Sequence, residues 1–428
     1  MRQPALVYIV LGAMLVACAI NFAFLGKNVS GWAWVAGLVA AAGVLWRHAS
    51  RVSMPMWIWL PWGLLVTVYS LGHHSYALQS SAQILSPIIV GLAASCMRPG
   101  EVQLEQLGKL MRLAAVVFLG ILLFLRVPML LLGMLPEVTG LAAEAITALA
   151  LQSFFLCAYL QHRNRKDLVL YLACAMVPVV ALIRGPMAAT FALVVLTISP
   201  LSIFKRLLIV VVAVFVGLAV LQTERVQHKM FWSGQGTIRD LRWDNPDLMK
   251  SGRDTLSDIL WEGIPEHPWL GHGANAFLDE FRANDIGLEQ VHNDWLRILY
   301  CYGYVGVVLF ALAVSGQCAH AWDRARRARP WARALLLASA TAFIPFAVVM
   351  VTDNVLVYAQ FFGNVHFLLL GLAYGAVARE DQSRDRSSRA LKGPKPRRGN
   401  TRSSAPTVAP AIEVRDAPRS DNGGNRNA

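Results

Sequence analysis

Residues 251–317 join two unlike kinds of sequence. SGRDTLSDILWEGIPEHPWLGHGANAFLDEFRANDIGLEQVHNDWL over 251–296 is followed at once by RILYCYGYVGVVLFALAVSGQ over 297–317. The first part holds charge, two Pro and three His; the second is 21 residues with a single charge. At about 1.5 Å per residue, a helix of that length crosses the ~30 Å hydrocarbon core of a bilayer. The polar part is then an island beside a membrane span.

Working outward, the same apolar pattern recurs along the chain. Candidate spans fall at 4–25, 31–46, 55–72, 78–97, 112–132, 141–161, 167–183, 186–199, 205–222, 297–317, 334–352 and 355–378. Those at 31–46 and 186–199 are short for a full crossing. Overall, 56% of the 428 residues are hydrophobic and 15% are charged, whereas soluble domains carry about 25% charge. The short alternating segments of a transmembrane β-barrel are missing. The expected fold is an all-α polytopic membrane protein of about twelve spans. Residues 1–222 would hold the first nine, 223–296 a long loop and 297–378 the last three. The Met1-Arg2 start reads as an uncleaved first helix rather than a signal peptide.

Lys and Arg set the orientation. With the N-terminus in the cytoplasm, the cytoplasmic connections and the C-terminal tail collect 28 of the 39 basic residues. An even number of spans puts both termini inside and 223–296 outside. That loop carries 7 Lys and Arg against 13 Asp and Glu, a balance of −6. The net charge of +13 is therefore a product of membrane topology, and no nucleic-acid partner is expected. Residues 379–428 turn to Arg, Ser, Pro, Gly and Asn and read as a structureless basic cytoplasmic tail. The six Cys sit in or at the edge of apolar spans, so neither a disulfide framework nor a metal site is expected. No internal repeat is evident, which argues against many transporter folds.

Four places in the sequence could carry chemistry. Arg184 follows the run LVLYLACAMVPVVALI and precedes Gly185-Pro186, at the outer boundary of the membrane. A charge there is costly enough to suggest function, although an Arg reaching for lipid phosphates needs none. Gly185 would permit a sharp reversal. Arg253 precedes DTLSDILWE, a short amphipathic helix with Leu256, Ile259 and Leu260 on one face; a loop Arg is also commonly just solvated. Gly271 and Gly273 flank His272 in a tight turn whose role is to shape its surroundings. His292-Asn293 lies at the mouth of span 297–317. A His there suits a general base, and a helix starting here would put it on a face with Leu296; it also suits a plain interfacial position. Asp353 could orient His292 or an Arg, or be a loop residue only. His73 and His74 are adjacent and do not form a metal pair.

Together these residues resemble the O-antigen ligase and polymerase superfamily of bacterial membrane glycosyltransferases, and most closely the ligases. The resemblance rests on Arg184-Gly185, Arg253, the pattern Pro268, Gly271, Gly273 and Phe277, then His292-Asn293 followed by Gly303 and Gly306. It implies a C-type glycosyltransferase-like fold in the bacterial inner membrane with a periplasmic active site. The implied donor is an undecaprenyl-diphosphate-linked glycan and the implied acceptor is lipid A–core. His292 would be catalytic and Arg184 and Arg253 would hold the diphosphate, with Asn293, Gly271, Gly273 and Asp353 in support and no cofactor. A polymerase extending the lipid-linked glycan and a non-enzymatic flippase or exporter are the competing readings. One dominant external loop favours the ligase. Clustering of the candidate charges on one face argues against an export pathway.

Overall fold

The computed structural model describes residues 5–19, 23–24, 27–72, 74–132, 134, 141–196, 253–284 and 290–391, with isolated positions between 202 and 245. The chain divides into two compact units, 1–383 and 384–428. The described residues belong to the first, apart from the end of the last helix.

Among the described residues the architecture is helical, with one two-residue antiparallel pair, Ala23–Phe24 with Lys27–Asn28. The helices are α1 (Ala5–Ala19), α2 (Val29–His48), α3 (Met56–Tyr69), α4 (Ala77–Ser95) and α5 (Glu101–Ile121). A π-helical turn, Leu122–Arg126, carries α5 into α6 (Val127–Leu131). Next come α7 (Ala142–His162), α8 (Arg165–Ala181), α9 (Arg184–Leu196), α10 (Arg253–Gly263) and α11 (Phe277–Ala283). The last three are α12 (Asp294–Arg327), α13 (Pro330–Val349) and α14 (Gly363–Leu391).

Five of these stretches are long and apolar enough to cross a bilayer: α4, α5 with α6, α7, α12 and α13. The shorter α1, α3 and α9 are also apolar. The protein is thus a multi-pass membrane protein. Most of the expected ninth span, 205–222, lies outside the described residues, as does most of 223–252.

α7 packs between α8 and α13, α12 lies against α13 and α3, and α9 lies against α13. Several polar groups inside the bundle are paired across helices, which an apolar surrounding favours. Arg112 donates from Nε and Nη2 to the two carboxylate oxygens of Asp167 at 2.7 and 3.0 Å, tying α5 to α8. Trp59 donates to Gln317, which donates to Tyr374. Arg126, in the π-turn, is ion-paired with buried Glu144.

Two local findings differ from expectation. The reversal before α9 is made by Leu182, in the left-handed region at φ 53°, and not by Gly185, which lies within the first turn of α9. Helix α14 continues past Arg379, where a structureless tail is expected to begin, to Leu391. Arg324 donates to Asp381 at 3.0 Å, and Glu380 accepts from the Arg329 amide at 3.3 Å. Both contacts fall in the first turn beyond Arg379. Residues 392–428 lie outside the described residues.

Helix α12 is broken near its start. Gly303 takes φ 64° and ψ −169° inside it. A break in a membrane span frees backbone groups that lipid cannot satisfy. The turn 267–273 supplies their partners. Tyr304 N–H donates to Pro268 O and Val305 N–H to Trp269 O, while His272 and Gly273 donate back to the carbonyls of Tyr300 and Cys301, all at 2.9–3.1 Å. A Cβ on Gly303 would collide with the Trp269 backbone, and one on Gly271 with the backbone of Cys301 and Tyr302. Two glycines with positive φ therefore let one chain segment dock edge-on into a helix.

Candidate active site at the mouth of the broken helix

The docked turn leads to α11 and, through residues of which 285–289 are not described, to His292. His292 does not lie on α12. Asn293 caps the helix, its side-chain oxygen accepting from the Leu296 amide at 3.0 Å. An Asn in extended conformation just before a helix is the favoured cap. That leaves His292 one residue outside, at φ 53°, so the helical face it was expected to share with Leu296 does not exist. A non-glycine residue held in this region persists only when its surroundings over-determine it, and such residues cluster at functional sites.

Those surroundings are the turn between α13 and α14. The His292 amide donates to Asn354 Oδ1 at 3.1 Å. The His292 Nδ1 atom stands 3.5 Å from Asp353 Oδ1 and makes no hydrogen bond. At that separation the contact is electrostatic rather than a formed hydrogen bond. Asp353 Oδ1 itself accepts from the Asn354 amide at 2.8 Å. The His292 side chain is a quarter exposed.

Arg184 opens α9 and is exposed. Gly185 behind it is seated on Thr352, where any Cβ would strike the threonine hydroxyl. The Arg184-Gly185 pair thus abuts the same short turn that carries Asp353. Arg253 opens α10; its side chain lies outside the described residues. Helix α10 buries Leu256 and Leu260 and packs against α12, as its apolar face predicts. Gly271 and Gly273 belong to the docked turn, with φ 71° and 108°.

Asp294 and Arg297 were not singled out by sequence, and His74 was weighed only as a metal ligand. Asp294 is fully buried; its amide donates to Met350 O and its Oδ2 accepts from the Leu356 amide, each at 2.8 Å. Arg297 is buried and donates to Ser80 Oγ at 2.8 Å and Asn275 Oδ1 at 3.0 Å, over the face of Phe277. His74 meets Asp279 Oδ2 at 2.8 Å through Nδ1 and the His272 carbonyl at 2.9 Å through Nε2. It clamps the α3–α4 connection onto the docked turn. Arg297 carried a readable signal, a charge in the first turn of an apolar span.

The fold and site define a multi-pass membrane protein with a strained, partly exposed His and a carboxylate at a helix mouth. Residues 168–311 match the family model described as O-antigen ligase. The resemblance to that family therefore holds over the segment containing Arg184, Arg253 and His292. No curated protein matches the chain.

Proposed function

We propose that this protein transfers O-antigen polysaccharide from undecaprenyl diphosphate to lipid A–core, on the periplasmic face of the bacterial inner membrane. The observation that carries the reading is that the O-antigen ligase match encloses Arg184, Arg253 and His292 together. The His292–Asp353 geometry supports it.

In this reading His292 takes the proton of an acceptor sugar hydroxyl as that oxygen attacks the anomeric carbon of the donor. The bond from that carbon to the diphosphate breaks, and the lipid diphosphate leaves with the electron pair. A single displacement inverts the anomeric centre and asks for no metal. Asp353, already facing Nδ1, holds the ring and stabilises the imidazolium that forms. Arg184 and Arg253 offer forked donors to the diphosphate and stabilise the charge it gains. Because the external loop is net acidic, these specific guanidiniums have to supply what the general field does not. The topology that goes with the reading has about twelve spans, both termini in the cytoplasm and 223–296 in the periplasm.

Deleting the gene tests the reading. Loss of a ligase leaves bare lipid A–core and accumulates lipid-linked polymer. Core capped by a single repeat unit would instead identify a polymerase, and unchanged lipopolysaccharide would remove both.

A further inference from the structure

We propose that Asp294 is the positioning residue of this site, pinning both ends of the turn whose middle holds His292. This rests on the reading of His292 as the base. Met350 and Leu356 bracket the turn. The first accepts from the Asp294 amide and the second donates its amide to Asp294 Oδ2, both at 2.8 Å. Between those two anchors lie Asp353, 3.5 Å from His292 Nδ1, and Asn354, which accepts from the His292 amide. One residue thus closes a seven-residue turn, and the two side chains that address His292 project from its centre.

An acid in the first turn of a helix is commonplace, since it complements the helix dipole. That explanation suits an exposed side chain. Asp294 is 0% exposed, and burying a carboxylate is expensive unless it is hydrogen-bonded. Its place two residues after His292 also couples the helix start to the turn. Any loosening at Met350 or Leu356 changes the distance between His292 and Asp353. Asp294 touches no substrate in this account and acts through that distance.

The test uses the full-length protein in nanodiscs with Asp294→Ala, Asp294→Ser and Asp294→Asn. Asn keeps an oxygen that can accept from the Leu356 amide; Ala has none and the Ser hydroxyl falls short. With a lipid-linked glycan donor, D294A and D294S are expected to lose kcat by about 10- to 100-fold, the scale of a misplaced catalytic group. The donor KM should stay within about threefold, because diphosphate contacts are untouched. D294N should recover most of the lost kcat. Hydrogen exchange across 350–356 should accelerate in D294A and D294S and stay near wild type in D294N. If D294A does not accumulate, D294S carries the same comparison.

Wild-type kcat in D294A or D294S, or unchanged exchange across 350–356, would overturn the proposal. So would D294N falling as low as D294A, because charge rather than the clamp would then matter. Should the wild type transfer no glycan at all, the functional reading fails by itself, and the exchange measurement still decides whether Asp294 pins the turn.

Discussion

His292 Nδ1 and Asp353 Oδ1 face each other across 3.5 Å, from chain segments 61 positions apart. Neither lies in a regular helix. A closing movement of about half an ångström would turn this approach into a charge-assisted hydrogen bond, and catalytic contacts often tighten only when substrate is bound.

That relationship predicts a kcat effect for Asp353→Asn. The amide keeps the bond to the Asn354 backbone but cannot stabilise an imidazolium as a carboxylate does. We expect kcat to fall by about 10- to 100-fold, within the range general acid–base groups contribute, with donor KM nearly unchanged. Steady-state kinetics on a lipid-linked donor checks this. A raised KM with intact kcat would assign Asp353 to donor binding.

Arg184→Lys and Arg253→Lys keep charge but lose the fork. Each should lower kcat/KM for the donor by about 10- to 100-fold, the scale of one charge-assisted hydrogen bond at about 1.5–3 kcal/mol. Saturation with acceptor should not restore it. Unaltered donor kinetics would remove the diphosphate role.

Gly303→Ala should unfold the docked turn rather than alter chemistry directly. The residue sits at φ 64° with the Trp269 backbone where a Cβ would go. Strain and clash together cost at least about 3 kcal/mol, which thermal denaturation in detergent would register as a large fall in Tm. Gly316→Ala is the matched control: its Cβ meets nothing nearer than Ile58 at 3.6 Å, and it should hold or raise the Tm.

Gly185→Ala should lose activity through collision with Thr352, and Thr352→Ala should relieve it. In a double-mutant cycle the two changes are expected to couple by about 1 kcal/mol or more, as contacting residues do. Additive effects would mean that the Arg184 turn and the Asp353 turn are independent.

Much of this was legible in sequence because lipid imposes simple rules. Apolar run length marks the spans, and the amphipathic face of 254–262 foretells the burial of Leu256 and Leu260. Gly271 and Gly273 announce a tight turn. What that turn docks into was not legible, because Gly303 inside an apolar run looks like any other small residue of a span. Its partner backbone, Pro268 and Trp269, lies more than 30 positions away. The offset of His292 from α12 did have a local signal: Asn293 before an apolar run is a cap, and a cap ends the helix there. Asp294, by sequence alone, is indistinguishable from any first-turn acid. Only the fold, by bringing Met350 and Leu356 to it, distinguishes it.

In the proposed transfer His292 takes the proton of the acceptor hydroxyl, and His292→Ala tests that role most directly. Purified, folded variant should lose at least about 100-fold in kcat on a lipid-linked donor, as removal of a general base does, with membrane insertion and Tm near wild type. Full activity in that folded variant would contradict the account.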